Sequence, residues 1–275
     1  MPKYEIKERS GKQAIFDDKG NQISEWFDEI LEDGLVNGES DYFVAKENGK
    51  RAIFDKSGKQ VSEWFDYIWV YGLVEGKSNY YIAKKDGKVA IFDKSGKQVS
   101  KWFDEIAEDG LVRKESNYFL AKEKGKWAIF EKSGKQISYW FDWIRPDGLV
   151  AGQSKYFVVK EERLYAIFHK SGEQVSEWFN WIESKGLVEG KNSFFLAEKN
   201  GQWAVYHKSG LKLFEVEGRE IEDESKVEKI FEKATEVYLE KKALKPKKRR
   251  IKITLDEEDV EASNFKVKRK IKFKP

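Results

Sequence analysis

A period of 38 residues runs through most of this chain without an insertion or deletion, and it limits the available folds more than any other feature. The triplet Ala-Ile-Phe recurs at Ala14, Ala52, Ala90, Ala128 and Ala166, and returns as Ala-Val-Tyr at Ala204. Trp-Phe recurs at Trp26, Trp64, Trp102, Trp140 and Trp178. Gly-Leu-Val recurs at Gly34, Gly72, Gly110, Gly148 and Gly186. A fixed period of this length is typical of stacked supersecondary units.

Two glycine turns lie nine residues apart inside a unit, where glycine supplies the positive φ of a tight hairpin turn. In the second unit the turns are Asn48-Gly49 and Ser57-Gly58. The segments around them are rich in aromatic and β-branched residues, and they are Tyr42–Lys46, Arg51–Lys56 and Gln60–Ser62. This pattern predicts a three-stranded antiparallel meander in every unit.

The first of these strands is apolar on both faces, which predicts that it is buried between neighbouring units. The stretch that follows the meander, starting at Ser62, is ambiguous. It fits a helical turn capped by Ser62 or a further strand. We favour a tight bend that inserts Trp64 and Phe65 into the joint between units.

The repeated strings Gly-Lys-x-Ala-Ile-Phe-Asp-Lys-Ser-Gly-Lys-Gln-Val, Trp-Phe-Asp-x-Ile and Gly-Leu-Val resemble the units of the bacterial WG β-repeat family. The resemblance covers about Tyr4 to Lys212. Alanine replaces the second signature glycine in every unit, and the family's tryptophan is kept at Trp127 and Trp203 only. The resemblance implies a mainly β, non-catalytic array used for binding, which is either an open solenoid or a propeller-like ring.

The sixth unit is cut short after the Ser209-Gly210 turn, so we expect five full units and a terminal hairpin over residues 1–217. Residues 218–275 have a different pattern and form a second predicted module. An amphipathic helix is expected over Lys226–Ala243, with a capping box formed by Ser225 and Glu228. Two alternating strands follow, which are Ile251–Leu255 and Phe265–Phe273.

The chemistry of the sequence argues against an enzyme, a cofactor or a metal centre. Cysteine is absent and only two histidines are present. Those histidines, His169 and His207, stand where other units carry Asp or Glu, which favours a polar turn residue over a catalytic or metal role. Repeated carboxylates at Asp28, Asp66, Asp104 and Asp142, with Asn180 in the fifth unit, are expected to bond local backbone N–H groups. No nucleophile elbow, P-loop or zinc-protease motif occurs.

Aromatic residues at positions that change type between units indicate a contact face. A core position should keep its type, whereas these positions alternate between aromatic and other residues, mostly acidic ones. They are Tyr67, Trp69, Tyr71, Trp143 and Trp181. The alternative is local packing at a joint between units.

The second module is basic. Residues from Arg219 onward carry a net charge of +5, which leaves about −2 on the repeats. Its cationic residues serve as a linker or as a site for an anionic partner, and they are Lys241, Lys242, Lys245, Lys247, Lys248, Arg249 and Arg250. A solvated linker is the first interpretation, an anionic protein the second and nucleic acid the third, because stacking platforms are missing there.

These observations predict a cytoplasmic, non-enzymatic scaffold that binds a protein partner through a repeat face and the basic module. No apolar run long enough for a membrane span is present. One alternative is a regulator that sequesters a protein until proteolysis releases it, which faintly resembles the protease-cleaved inhibitors of type III CRISPR systems. Another alternative is a lectin-like array that binds carbohydrate.

Overall fold

The computed structural model describes residues 4–218, 221 and 223–244, and within them it contains short antiparallel sheets followed by one helix. The strands are β1 (Glu5–Arg9), β2 (Lys12–Phe16), β3 (Glu29–Ile30), β4 (Tyr42–Glu47), β5 (Lys50–Asp55), β6 (Tyr67–Ile68), β7 (Tyr80–Lys85), β8 (Lys88–Asp93), β9 (Glu105–Ile106), β10 (Tyr118–Glu123), β11 (Lys126–Glu131), β12 (Trp143–Ile144), β13 (Tyr156–Glu161), β14 (Leu164–His169), β15 (Trp181–Ile182), β16 (Phe194–Lys199), β17 (Gln202–His207) and β18 (Lys212–Val216). The helix α1 is Glu224–Ala243. The mainly β repeat architecture is therefore confirmed.

The strands form six sheets that follow one another along the chain. Sheet 1 is the pair β1–β2, and sheets 2 to 5 each contain one two-residue strand and two six-residue strands. Sheet 6 adds β18 to this pattern, so the expected terminal hairpin is present as β17–β18. Between the two long strands of sheet 2, Asn48 and Gly49 have φ of 51° and 77°, the left-handed pair that a tight two-residue hairpin turn requires.

In sheets 2 to 5 the third strand differs from the prediction. Gln60–Ser62 makes only an isolated bridge with Phe54, and the third strand of sheet 2 is instead β3, which precedes the two long strands. The reason lies at Ser62, whose buried Oγ accepts the Ile53 N–H at 2.8 Å in place of a backbone carbonyl. The ladder ends there because the chain bends away from the sheet.

That bend fills the joint between consecutive sheets, as expected. Phe65 is buried in a cluster that combines Val44 of sheet 2 with Phe92 of sheet 3, and its ring lies 4.9 Å from that of Phe92. Trp64 is half-buried and packs 6.0 Å from Phe54. The middle of each long strand is also buried on both faces, as Phe43, Val44 and Ala45 show with no exposed surface.

Six hydrophobic clusters connect the layers in order, from sheets 1 and 2 to sheet 6 and α1. No cluster of the described residues combines sheet 1 with sheet 6. In sheet 1 the exposed Glu5 and Lys7 occupy the repeat positions of the buried Phe43 and Ala45. Charged residues on this outer strand prevent a further layer from packing against it.

The helix closes the other end. Gly72 and Gly186 occupy the same repeat position. The backbone at Gly72 lies so close to Val112 of the next unit that a Cβ atom would touch it, whereas a Cβ atom at Gly186 would lie 2.8 Å from the Phe231 ring of α1. Phe231 therefore replaces the next unit's valine, and α1 caps the array. The helix starts two residues earlier than predicted, and the Ser225–Glu228 capping box is wrong. Asp223 is the N-cap instead, and its side chain accepts the Ser225 N–H.

None of the helical segments among the described residues is long and apolar enough to cross a lipid bilayer. The predicted strands Ile251–Leu255 and Phe265–Phe273 lie outside the described residues.

Candidate partner-binding face

One repeat position brings exposed rings to the same face of successive sheets. This position is the first residue of each two-residue strand, and it is held by Glu29, Tyr67, Glu105, Trp143 and Trp181. Its direct cross-strand neighbour is Lys46, Lys84, Lys122, Lys160 or Glu198. Direct partners in an antiparallel pair point to the same face of the sheet. Along the array, the row therefore contains ion pairs at its first and third positions and aromatic rings at its second, fourth and fifth.

Three of the five predicted contact residues are exposed on this face. Tyr67 is 40% exposed, Trp143 is 37% exposed and Trp181 is 42% exposed. We call these three residues the aromatic stripe. Large rings left in water on a rigid support are the side chains that contribute most to protein contacts.

The other two predicted contact residues have a different environment. Trp69 and Tyr71 are half-buried and pack against the cluster between sheets 3 and 4. The Trp69 and Tyr67 rings are nearly perpendicular with their centroids 4.9 Å apart, and the Arg113 guanidinium lies 5.5 Å from the Tyr71 ring. Both residues thus support the joint and the position of Tyr67.

A guanidinium from the preceding sheet orients the first ring of the stripe. The Cζ atom of Arg51, on β5, lies 4.1 Å from the centroid of Tyr67, on β6. A guanidinium at this distance is attracted by the negative face of the ring. Arg51 shares its repeat position with Val89, Trp127, Tyr165 and Trp203, so this contact depends on a residue that does not repeat.

A second guanidinium connects the other two rings. Arg145 is only 9% exposed, and its Cζ lies 5.9 Å from the Trp143 ring and 5.6 Å from the Trp181 ring. Its Nη1 donates to Ser184 Oγ at 2.8 Å, which fixes the side chain. The Tyr165 ring packs against the Trp181 ring with 5.1 Å between their centroids. Sequence reasoning missed Arg145 because its neighbours lie on two different units.

Beside this guanidinium lies Asp147, which is half-buried. Burial raises the pKa of Asp147, while a hydrogen bond from Ser184 and the positive charge of Arg145 act in the opposite direction. Its Oδ1 atom is buried and has no hydrogen-bond partner in the structure. The joint between sheets 5 and 6 thus holds an arginine, a carboxylate and a hydroxyl under two exposed rings.

The repeated carboxylates have the predicted structural role. Asp66 Oδ2 accepts the backbone N–H of Asp86 at 2.8 Å, in the hairpin turn of the same sheet. Asn180 does the same for Asn200, also at 2.8 Å, so the amide replaces the carboxylate without loss of this bond. These residues fix the hairpin turns.

The two histidines act as turn residues, as expected. His169 Nδ1 accepts the Ser171 N–H at 3.2 Å, and His207 Nδ1 accepts the Ser209 N–H at 3.1 Å. Asp55 makes the same bond to Ser57 at 2.8 Å. Within the described part of the chain, no group of three or more His, Asp or Glu side chains is arranged to hold a metal ion.

Of the predicted basic residues, Lys241 and Lys242 are described. The Lys241 ammonium donates to the carbonyl oxygens of Lys212 and Leu213, at 3.3 and 2.7 Å, and so ties the end of α1 to β18. Lys242 is exposed. The remaining residues of this set, Lys245, Lys247, Lys248, Arg249 and Arg250, lie outside the described residues.

Comparison with known proteins finds no matching family model and no matching curated protein. Several solved structures are similar at low sequence identity. Hsv2 of Kluyveromyces lactis is 10% identical, with 76% of this chain and 75% of Hsv2 covered and a TM-score of 0.33. A eukaryotic initiation factor is 9% identical, with coverages of 77% and 61% and a TM-score of 0.37. The β-propeller domain of Myceliophteria thermophila Cps50 (Swd1) is 12% identical, with coverages of 78% and 83% and a TM-score of 0.29.

Proposed function

We propose that this protein is a non-enzymatic scaffold that binds a protein partner through the aromatic stripe. The observation that carries the proposal is that Tyr67, Trp143 and Trp181 remain more than a third exposed although arginines hold them in place. Rings that are already ordered lose little conformational entropy on binding, so a larger part of their contact energy appears as affinity. The basic module of residues 218–275 supplies a second contact in this proposal.

The test compares stripe variants with a matched control. Tyr67→Glu, Trp143→Glu and Trp181→Gln are combined in one protein. Glu29 and Glu105 show that the position accepts glutamate opposite a lysine, and Gln at position 181 avoids a like charge opposite Glu198. The control is Tyr139→Glu, which removes a ring that is 71% exposed at a position where Glu25, Glu63 and Glu177 occur in other units. Each protein captures partners from extract of the native host, and the affinity of the purified partner is then measured by calorimetry.

We expect the stripe variant to lose its partner, with roughly 2 kcal/mol of binding free energy for each anchoring ring, and the control to retain it. A glycan array is run in parallel. Selective binding of an oligosaccharide, abolished in the stripe variant, would support the lectin alternative instead.

A further inference from the structure

Four lysines occupy the same repeat position on the binding face, but only two of them have an ion pair across the strand. Lys46 lies 3.0 Å from Glu29, and Lys122 lies 3.2 Å from Glu105. Both pairs join direct register partners on adjacent strands. In these units the carboxylate next to the lysine comes from the chain itself.

The other two lysines stand beside the aromatic stripe and have no such carboxylate. The register partner of Lys84 is Tyr67, and that of Lys160 is Trp143. Among the described residues, neither Lys84 nor Lys160 forms an ion pair. The Lys160 ammonium lies 5.6 Å from the Tyr165 ring and also attracts the Asp142 carboxylate, which lies next to Trp143 in the chain. The same change that exposes a ring therefore removes the carboxylate that would face the lysine across the strand.

We infer that the stripe recognises an extended acidic segment of the partner, whose carboxylates take the places of Glu29 and Glu105 beside Lys84 and Lys160. This inference rests on the proposed function and specifies the chemistry of the partner. Apolar side chains of the segment cover the rings of Tyr67 and Trp143. The two ring–lysine pairs lie two sheets apart, which is about 20 Å if neighbouring sheets are about 10 Å apart. An extended peptide rises ~3.3 Å per residue, so its two carboxylates should be about six residues apart.

The same face argues for a peptide rather than a nucleic acid. Glu105 lies between the two ring–lysine pairs along the row, and Glu198 follows them beside Trp181. A single strand of nucleic acid carries a phosphate at every nucleotide and would bring charge onto these carboxylates. A peptide can instead carry carboxylates only at the positions that face Lys84 and Lys160, with uncharged residues opposite Glu105.

The probe is a fluorescein-labelled dodecapeptide in which two Glu-Phe pairs are set six residues apart by Gly and Ser. One comparison peptide has Gln in place of Glu, and a twelve-residue oligothymidylate tests the nucleic-acid outcome. Binding to the full chain is followed by fluorescence anisotropy at low and physiological salt. We expect the Glu peptide to bind about fivefold more tightly than the Gln peptide, with the difference reduced by salt.

The decisive variants alter the lysines without altering the rings. Lys84→Gln with Lys160→Gln should abolish the preference for Glu over Gln. Lys59→Gln with Lys97→Gln removes the same charge from exposed turns and should leave the preference intact. Equal binding of the two peptides to the wild type, tighter binding of the oligothymidylate, or no binding of any probe would overturn the inference.

A third pair of substitutions separates the inference from the proposed function. Tyr67→Ala with Trp143→Ala keeps both lysines and should weaken both peptides equally. If this variant binds both peptides as the wild type does, the rings are not the contact and the proposed function fails. If the rings matter and the lysines do not, the proposed function stands and the acidic segment is rejected. Circular dichroism of each variant verifies that it is folded.

Discussion

The imidazole ring of His207 stacks on the phenol ring of Tyr238, with 4.0 Å between their centroids and 18° between their planes. The contact joins β17 to α1, and the edge of Phe194 packs beside it at 5.6 Å. His207 is 7% exposed, whereas its repeat equivalent His169 stacks on no residue of α1. The same turn position is thus part of the helix interface in one unit only.

This contact predicts an acid-sensitive helix. Burial lowers the pKa of His207, and the nearby charges of Lys208 and Lys242 act in the same direction. The unfolded chain therefore takes up the proton first, at about pH 6.5, and stability is lost as the pH falls from there through the lower folded value. Above that window the histidine is neutral in both states and contributes no slope.

The free energy of unfolding, measured in urea between pH 7.5 and 5, tests this expectation. His207→Asn keeps an acceptor for the Ser209 N–H but cannot be protonated, so it should flatten the pH profile relative to the wild type. His169→Asn is the matched control and should leave the profile unchanged. If the two variants have the same profile, the Tyr238 contact has no part in the pH dependence.

A second prediction concerns Leu164 and Asn180, which replace a lysine and an aspartate together. Earlier units pair Lys12 with Asp28, at 3.6 Å, and Lys126 with Asp142, at 3.3 Å. We expect Leu164→Lys and Asn180→Asp to restore this ion pair, so that their effects on the melting temperature are not additive. The double variant should melt about 1 °C above the sum of the single effects, since an exposed ion pair adds little to the free energy of unfolding. A double-mutant cycle in low and high salt measures this coupling.

High salt should remove the coupling, since both charges are in water. Asn180→Asp alone should not change the turn, because Asp66 makes the same backbone bond. A coupling that persists in high salt would show that packing, rather than charge, explains why both residues change in this unit.

A third prediction separates the stripe from the joint that supports it. Tyr67→Glu should lower the free energy of unfolding by less than about 1 kcal/mol. Glu29 occupies the same repeat position and pairs with Lys46, and a glutamate at position 67 would face Lys84 in the same way. Trp69→Glu should cost roughly 2 kcal/mol or more, since it puts a charge against the cluster between sheets 3 and 4. Denaturant titrations of both variants give the two values, and similar losses would contradict the assignment of Trp69 to the joint.

The repeat made the long strands and the bends predictable. Phe65 recurs in all five full units, and an aromatic ring stands at the position of Phe43 in sheets 2 to 6, because each packs on a neighbouring layer. The two-residue strands were not predictable, because Tyr67 and Ile68 are too few to show a period. The bend after Ser62 was the favoured of three alternatives, but the spacing did not show that its hydroxyl would accept the Ile53 N–H.

The candidate site was predictable only in part, for a related physical reason. Changes of residue type between units identified Tyr67, Trp143 and Trp181, but the same rule also selected Trp69 and Tyr71. These two rings pack at a joint, where the residue type can differ between units because the surrounding side chains differ as well. Arg145 was missed since its two rings belong to consecutive units. Contacts between units determine which rings are exposed and which are packed, and the spacing of residues along the sequence does not show these contacts.

The last prediction concerns the first sheet, whose outer strand replaces core residues by charged ones. Glu5 and Lys7 are exposed where later units bury Phe43 and Ala45. We expect Glu5→Phe with Lys7→Ala to create an exposed apolar face on sheet 1 that packs against a second molecule, because later units bury Phe43 and Ala45 at these positions. Sedimentation velocity over a range of concentrations should show a dimer for this variant and a smaller species for the wild type. The control Glu8→Gln removes a charge from the same strand without adding apolar surface, and it should sediment as the wild type does. A variant that stays at the wild-type size at all concentrations would show that other features of sheet 1 end the array.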